Sequence, residues 1–381
     1  MKIPIRHSAR LIAALCAILL PITLPAQQPT PLGKPDAEFA EPFTRIGTIR
    51  ELSDGRVLVA DPQDRIVQLI DFKSGTATKV GRTGSGPGEF GIPNRIIAFP
   101  GDSSAIFDPD NSRYLIITPD GKTGATFRID DVGVRMGGRG ATPRGTDTRG
   151  RIFIEGSPFV ATTDGGIAPG DSAPVLRLDR ATKKLDTLAW VQLARGNARG
   201  NSGPRGVMMM VGLKAFPSRD DWTPLPDGGV GVARVRDYHV DRYSASGART
   251  SGPPIPVTAI PVTEAEKEAW RAARTGLPAA GRGGAIPRNL PPPPQSEFPP
   301  VLPPFVSSAT VARPNGEIWV LRSHKATDAP IYDVFGPTGS MIRRVALPGP
   351  KARLAGFGSN TVYIVRRDAD DLEYLQRFTL Q

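Results

Sequence analysis

The sequence predicts an all-β protein, a six-bladed propeller built from four-stranded antiparallel blades. A turn that carries Gly or Asn, followed by a strand rich in β-branched and aromatic residues, recurs six times. The chain has 381 residues, more than one simple core usually holds. It also contains 42 Gly and 40 Pro with little helical periodicity. A repeat architecture explains all three observations.

The first 26 residues are typical of an export signal. Basic residues precede an apolar run at residues 11–20, and Ala26 offers a small residue for cleavage. The run is too short to favour a membrane-spanning helix, and an uncleaved anchor is the alternative. Cys16, the one cysteine, lies in this segment, so the exported chain would have no disulfide. We therefore expect a periplasmic or extracellular protein without a membrane span.

The six repeats share a tight turn, a strand and a charged residue at the end of that strand. Asp-Gly and Asn-Gly turns suit tight hairpins because both residues tolerate positive φ. The charged strand-end residues are Asp61, Asp108, Glu155, Arg234, Arg322 and Arg366. A third and a fourth strand follow each repeat, as in a propeller blade. Long intervals before Arg234 and Arg322 indicate insertions.

The two ends of the chain are predicted to share the last blade. That blade ends at Gln381 after only three strands. Its missing strand is predicted at residues 38–43, because such pairing closes the ring and removes free sheet edges. Residues 27–37 are then a flexible linker, and residues 38–381 form the propeller.

The longest insertion includes residues 263–304 and separates blades four and five. Thr263 and Glu266 form a reciprocal capping pair that predicts a helix over residues 263–275. The remainder is dominated by Pro, Gly and Ala. This composition favours a disordered spacer over a lid or a docking arm.

A family resemblance rests on the first two repeats. Its residues are Gly-Arg-Thr-Gly-Ser-Gly-Pro-Gly-Glu-Phe at 81–90, then Pro93, Asp108, Asn111 and Arg113. They resemble an NHL repeat and, more closely, the exported bacterial six-bladed propellers of the TolB-like group. The resemblance is poor over blades three and four, where residues 142–148 are polar. It implies the fold and not the function, because propellers host unrelated activities.

The long connections all fall on one predicted face. In a four-stranded meander, the second-to-third and fourth-to-next-first connections share a face, which we call the loop-rich face. Its long segments are residues 156–173, 195–221, 252–304 and 323–330. Long loops on a rigid scaffold usually carry function, so this face is predicted to bind the partner.

The six strand-end residues have two interpretations. Near the mouth of the central channel they would form a ring that is acidic on one half and basic on the other, suited to a mixed-charge ligand. In the simpler interpretation, which we favour, Asp61 and Asp108 accept backbone N–H groups and the arginines pair with neighbouring carboxylates.

No residue is predicted to be catalytic and no metal ligand is assigned. Only His239 and His324 follow the signal segment, so a three-histidine zinc site within one chain is excluded for the exported chain. The main hypothesis is a non-catalytic binding or scaffolding propeller without a cofactor. The alternative is a hydrolase of the lactonase type, with Ca²⁺ held by Asp61, Asp108 and Glu155. A docking subunit that uses the Pro-rich segment is a third hypothesis.

The chain carries a formal net charge of +11. For an exported protein this favours an anionic or mixed-charge ligand or a protein partner, and not nucleic acid. We expect a monomer. The arginine-rich stretch that includes Arg135, Arg139, Arg144, Arg149 and Arg151 is typical of either an anion-binding segment or a solvated loop.

Overall fold

The computed structural model describes residues 28–128, 142–156, 159–161, 167–194, 198–203, 206–211, 214–275 and 298–380. The predicted export signal with Cys16 lies outside these residues. So do Arg135, Arg139 and the Pro-rich residues 276–297. Six four-stranded antiparallel blades follow one another along the described chain, which confirms the predicted fold class.

The strands of the first half form three blades. The chain begins with β1 (Thr30–Pro31) and β2 (Ala37–Glu38), which belong to blades five and six. Blade one comprises β3 (Ile49–Glu51), β4 (Val57–Asp61), β5 (Ile66–Asp71) and β6 (Thr76–Lys79). The parallel pair β7 (Arg82–Thr83) and β8 (Glu89–Phe90) leads to blade two. Blade two comprises β9 (Arg95–Ala98), β10 (Ser104–Asp108), β11 (Arg113–Ile117) and β12 (Thr123–Phe127). Blade three comprises β13 (Pro143–Thr146), β14 (Ile152–Glu155), β17 (Ser172–Asp179) and β18 (Lys184–Gln192), with the hairpin β15 (Phe159–Ala161) and β16 (Ile167–Pro169) inserted.

The second half of the chain forms the other three blades. The hairpin β19 (Ala198–Gly203) and β20 (Gly206–Val211) precedes blade four, which comprises β21 (Asp221–Pro224), β22 (Val230–Arg234), β23 (His239–Tyr243) and β24 (Arg249–Ser251). Helix α1 (Glu264–Thr275) follows. Blade five comprises β25 (Val311–Ala312), β26 (Ile318–Leu321), β27 (Ile331–Phe335) and β28 (Met341–Ala346). Blade six comprises β29 (Arg353–Phe357), β30 (Thr361–Arg367) and β31 (Glu373–Thr379), with β2 as its outer strand.

The first strand of each blade is the innermost. First strands of neighbouring blades touch one another from blade six through blade one to blade five. Hydrogen bonds link them, such as the Ile96 N–H to Thr48 Oγ1 (2.8 Å) and Thr146 Oγ1 to the Ala98 carbonyl oxygen (2.6 Å). β13 is polar, yet it pairs with β14 because such inter-blade bonds satisfy its side chains. The first strands therefore line a central channel and begin at the loop-rich face.

The hydrophobic core lies between the blades. Each cluster joins the facing sides of two neighbours, and Trp222 and Trp319 are fully buried in two of them. The turn between the first two strands of a blade places Gly in the left-handed region, with φ of +87° at Gly55, +91° at Gly228 and +85° at Gly316. The repeated Asp-Gly and Asn-Gly turns therefore adopt the predicted conformation.

The two chain ends close the ring as predicted. Ala37 pairs with Arg377 and Glu38 with Gln376, antiparallel to β31, and Phe43 forms a further bridge to this strand. The observed closing strand β2 (Ala37–Glu38) is shorter than the strand predicted at residues 38–43, and it begins one residue before the predicted start. In addition, β1 runs parallel to β28 and adds a fifth strand to blade five.

The insertion between blades four and five is anchored at both ends. Thr263 donates its N–H to Glu266 Oε2 (2.9 Å), and α1 begins at the next residue, as the capping pair predicts. Beyond residues 276–297 the chain returns beside its starting point, where the Leu302 N–H donates to the Ile260 carbonyl oxygen (2.9 Å). Phe298 packs edge-on against Trp270 of the helix, with ring centres 5.4 Å apart.

Candidate functional site

The six predicted strand-end residues lie at corresponding points of the blades. Four of them end the second strand of their blade, Arg366 is the penultimate residue of β30, and Arg322 directly follows β26. Second strands are separated from the axis by the innermost strands. Each of the six side chains also has a partner in its own neighbourhood, as described below.

Asp61 and Asp108 are fully buried and hold backbone segments together. The partners of Asp61 are the N–H groups of Arg45 (2.9 Å), Gln63 (2.9 Å) and Asp64 (3.0 Å), and those of Asp108 are the N–H groups of Gly91 (3.0 Å) and Ile92 (3.2 Å) and the amide of Asn111 (2.6 Å). Burial raises the pKa of Asp61, while these hydrogen bonds act in the opposite direction. Both carboxylates therefore tie a second-to-third turn to the connection that precedes their blade.

Two further strand-end residues, Glu155 and Arg366, also have partners of opposite or complementary polarity. Glu155 Oε2 accepts hydrogen bonds from Arg219 (2.7 Å) and from the Trp222 indole (2.9 Å). Arg366 binds the Glu38 carboxylate with two nitrogens, at 2.9 and 2.7 Å. This second pair adds a charge-assisted contact to the ring closure.

Arg322 belongs to a buried charge cluster that joins blades four and five. The carboxylate of Asp333 is fully buried and accepts hydrogen bonds from Arg322 (2.9 Å), Arg344 (2.9 Å) and the Tyr238 hydroxyl (2.9 Å). Burial and the neighbouring carboxylate raise the pKa of Tyr238 well above its ordinary value. The tyrosine therefore acts as a neutral hydrogen-bond donor at neutral pH.

Arg234 is the strand-end residue that faces a cavity. Its guanidinium donates to the Trp190 carbonyl oxygen (2.7 Å), Asp220 (2.8 Å), Asp241 (2.7 Å) and the Tyr243 hydroxyl (2.6 Å). Burial alone would lower the pKa of Arg234, but the bonds to the two carboxylates raise it above its usual value. Arg234 therefore stays charged and links the outermost strand of blade three to the second strand of blade four by hydrogen bonds.

The cavity lies between blades three and four and has a volume of about 510 Å³. We call it the blade 3–4 cleft. It is lined by Asp171, Ser172, Trp190, Val191, Gln192, Asp220, Arg234, Arg236, Asp237, His239, Asp241 and Arg249. The floor consists of buried Asp220 and Asp241 with Arg234 between them. Their charges are already engaged by one another.

The rim of the cleft combines an aromatic ring with exposed charges. Trp190 is 57% exposed, an unusual state for an indole in a folded protein. Arg236 and Arg249 are exposed, and neither forms an ion pair with any residue that the structure describes. Exposed Asp171 and Asp237 supply charges of the opposite sign on the same rim.

His239 is held beside the floor of the cleft. Its Nδ1 lies 2.8 Å from the Asp237 carbonyl oxygen, and its Nε2 lies 3.4 Å from Asp241 Oδ1. Both ring nitrogens therefore face oxygen acceptors.

The carboxylates proposed for Ca²⁺ do not fit a shared site. Asp61, Asp108 and Glu155 stand on three different blades, and each is bonded to its own neighbours. Among the described residues, no three His, Cys, Asp or Glu side chains are grouped as metal ligands. No described helix is long and apolar enough to cross a membrane.

No protein family model matches this sequence, and no curated protein matches it. Solved structures do resemble the fold. A gluconolactonase from Xanthomonas campestris is 12% identical over 90% of this chain and 91% of its own, with a TM-score of 0.43. A Bacteroides fragilis protein described as exported is 12% identical over 90% and 92%, with a TM-score of 0.48. Virginiamycin B lyase from Staphylococcus aureus is 13% identical over 87% and 80%, with a TM-score of 0.35.

These likenesses are consistent with the class of protein that strand order and ring closure already define, a six-bladed β-propeller. At such low identity and TM-score they carry no argument about what this chain binds or does. The resemblance to NHL repeats and the export of the chain remain predictions.

Sequence reasoning singled out Arg234 but missed the residues around it. Trp190, Arg236 and Arg249 stand on an outer strand, a turn and another outer strand, and they are remote from one another in the chain. A tryptophan in an alternating outer strand is a weak signal, because the alternation does not show which face of the strand a neighbouring blade covers.

Proposed function

We propose that this protein is a non-catalytic binding propeller that takes a mixed-charge ligand, such as a peptide with acidic and basic side chains, in the blade 3–4 cleft. One observation carries the proposal. The half-exposed ring of Trp190 stands beside two exposed guanidiniums, Arg236 and Arg249, that have no carboxylate partner in the described part of the chain.

The residue types on the rim suit recognition. Trp and Arg are the side chains that contribute most to binding energy when a partner covers them. The indole provides a flat apolar surface, and free guanidiniums bind carboxylates through paired hydrogen bonds. Asp171 and Asp237 favour a ligand with cationic groups as well.

The floor of the cleft supports the rim as a rigid frame. Asp220 accepts N–H groups from Gln192 of blade three (2.9 Å) and Val235 of blade four (2.9 Å), in addition to Arg234. The two walls are thereby fixed relative to each other before a ligand arrives. Such preorganisation reduces the entropy lost on binding.

The calcium-dependent hydrolase receives no support from a particular contact. Asp61, Asp108 and Glu155 already serve neighbouring backbone and side-chain donors. Binding without chemistry therefore remains the function that we propose.

The test is a titration with short synthetic peptides of four compositions: mixed-charge, acidic, basic and neutral. Binding is followed by calorimetry for every variant, and by tryptophan fluorescence for the proteins that keep Trp190. We expect the mixed-charge peptide to bind most tightly. Trp190→Ala, and separately the double change Arg236→Gln with Arg249→Gln, should each weaken it at least about tenfold, equivalent to about 1.4 kcal/mol.

Arg82→Gln is the matched control. Its side chain is 80% exposed and paired with Glu89, in the connection between blades one and two. The control should bind the peptide as the unaltered protein does. Equal binding by the Trp190→Ala protein would refute the cleft as the site. Equal affinity for acidic and mixed-charge peptides would refute the mixed-charge assignment.

A further inference from the structure

The outer edge of blade three differs from the outer edges of the other five blades. Natural sheets protect an edge by keeping its strand short or by covering it, because unpaired backbone groups otherwise pair with another chain. The outer strands of blades one, two, four and six have four, five, three and two residues. That of blade five, β28, is covered by β1. Strand β18 of blade three has nine residues, and among the described strands it pairs with β17 alone.

The backbone of β18 alternates between bonding to β17 and facing outwards. The Gly156 N–H donates to the Pro174 carbonyl oxygen (2.7 Å), so Pro174 and every second residue of β17 direct their backbone groups towards β14. Leu185 lies opposite one such residue, Leu178, and Trp190 lies opposite Pro174. The N–H and carbonyl groups of Leu185 and Trp190 therefore point away from the sheet.

Blade four closes only the last part of this edge. Arg234 donates to the Trp190 carbonyl oxygen (2.7 Å), and Asp220 accepts the Gln192 N–H (2.9 Å). The Trp190 N–H and both backbone groups of Leu185 have no such partner in the described part of the chain. The edge of β18 is thus open from Leu185 up to Trp190, where it reaches the blade 3–4 cleft.

Exposed apolar side chains accompany the open edge. Leu185 is 41% exposed, and Trp190 is the half-exposed indole on the rim of the cleft. Residues five apart lie on opposite faces of a regular strand. In β18, however, Leu188 is an extra residue between the paired residues Thr187 and Ala189. This β-bulge keeps Leu185 and Trp190 on the same exposed face.

Blade five shows that the outer edge of a blade in this fold accepts a fifth strand. There β1 runs parallel to β28, the outer strand. The Leu32 N–H, directly after β1, donates to the Ala346 carbonyl oxygen at the end of β28 (3.2 Å). The segment that covers this edge is short, extended and supplied by a distant part of the chain. Blade three has an edge of the same kind without such a cover among the described residues.

We propose that β18 binds an extended segment of a partner protein as a fifth strand of blade three. This inference rests on the proposed function, since the segment ends in the blade 3–4 cleft beside Trp190. Hydrogen bonds to the backbone of β18 hold the segment, and its alternate side chains provide specificity. Apolar side chains cover Leu185 and Trp190, and an acidic side chain reaches the unpaired guanidiniums of Arg236 and Arg249.

The first test uses the unaltered protein and a synthetic peptide in which apolar residues alternate with Asp and Lys. Two further versions carry N-methyl groups on the backbone, one at the even and one at the odd positions. Their side chains are the same. Because only every second N–H group of an added strand bonds to its neighbour, we expect one version to lose at least about tenfold in affinity. The other version should bind as the unmethylated peptide does.

The second test changes the edge itself. Leu185→Pro removes an outward N–H group, which edge strands tolerate, and Leu185→Ala keeps that group. Lys79→Pro is the matched control on the outer strand of blade one. The Val80 N–H donates to the Val67 carbonyl oxygen (2.8 Å), so the backbone of neighbouring Lys79 faces outwards from β6. We expect Leu185→Pro to bind the peptide about fivefold more weakly than Leu185→Ala does, as the loss of one hydrogen bond implies. The control should bind it unchanged.

Hydrogen exchange gives a direct readout of the added strand. The peptide should slow exchange of the Leu185 amide, which lies outside the cleft, as well as that of Trp190. Unfolding temperatures without peptide check that the proline variants are folded, and the methylated peptides need no variant at all.

The outcomes separate this inference from the proposed function. If both methylated peptides bind equally well, or if the Leu185 amide is not protected, the added strand is overturned while the cleft stays a binding site. Equal affinity of the Leu185→Pro and Leu185→Ala proteins overturns it as well. If the unmethylated peptide does not bind and the mixed-charge peptides of the cleft titration do not either, the proposed function fails first.

Discussion

Phe39 offers the sharpest test of how the ring closes. Its side chain is 2% exposed, and its ring lies 6.3 Å from that of Phe43 and 6.1 Å from that of Phe72 in blade one. Its N–H donates to the Leu375 carbonyl oxygen (2.9 Å) in blade six. Phe39→Ala therefore removes a buried ring at the point where the last blade meets the first, and we expect destabilisation.

The expected magnitude follows from this burial. Replacing a fully buried Phe by Ala typically lowers the free energy of unfolding by about 3–5 kcal/mol, because the lost contacts leave a cavity. Whole domains have stabilities of about 5–15 kcal/mol, so this change is a large fraction of the total. The closing strand β2 has only two residues, so part of the loss should appear as local opening of β2.

Two measurements check this expectation. Denaturant titration followed by circular dichroism gives the change in free energy of unfolding, and amide hydrogen exchange reports opening of β2 and β31. Glu41→Ala, an exposed position of the same segment, is the control and should leave both unchanged. A loss below about 1 kcal/mol for Phe39→Ala, with unchanged exchange in β31, would refute the idea that this segment closes the ring.

Three more changes test contacts between and within blades by denaturant titration. Asp333→Asn should cost about 3–5 kcal/mol, because it removes a buried carboxylate that pairs with two partly buried guanidiniums. Burial alone would raise the pKa of Glu317, but hydrogen bonds from Arg343 and Arg313 lower it from 4.5 to about 2. Its stabilising effect is therefore present above pH 4.5 and is lost as the pH falls towards 2, a dependence that Glu317→Gln should flatten. Gly252→Ala should cost about 1–3 kcal/mol, since its Cβ would lie 1.9 Å from a backbone carbonyl oxygen of blade five.

The changes at Asp333 and Gly252 each have a control in the same chain. Asp120→Asn removes an exposed carboxylate and should alter stability little. Gly349→Ala adds a methyl group where no atom lies within 4 Å, so it should be tolerated. An Asp333→Asn protein as stable as the Asp120→Asn protein would contradict the role of the buried cluster. If the unaltered protein and the Glu317→Gln protein lose stability equally in acid, the proposed role of the Glu317 carboxylate is contradicted.

The blade repeat could be predicted because its signals are local. The Gly residues of Asp-Gly and Asn-Gly turns adopt positive φ at Gly55, Gly228 and Gly316, and β-rich strands follow each turn. The alternation of apolar and polar residues along a strand indicates which side chains are buried, even when the neighbouring strand is unknown. The favoured interpretation is confirmed for Asp61, which accepts the N–H groups of Gln63 and Asp64 in the next turn. Asp108 also accepts two backbone N–H groups, but these belong to Gly91 and Ile92, which precede its blade.

The sequence by itself determined six meanders, the closure of the ring by its two ends, the capped helix and the side on which long connections gather. Only the tertiary structure decided that Arg234 joins two blades beside an exposed Trp190, and that the Arg95 side chain donates to the Arg144 backbone of the next blade. The physical reason is that these contacts cross from blade to blade. Periodicity and turn chemistry act over a few residues, whereas the partners of a charged side chain depend on which surfaces the closed ring brings together.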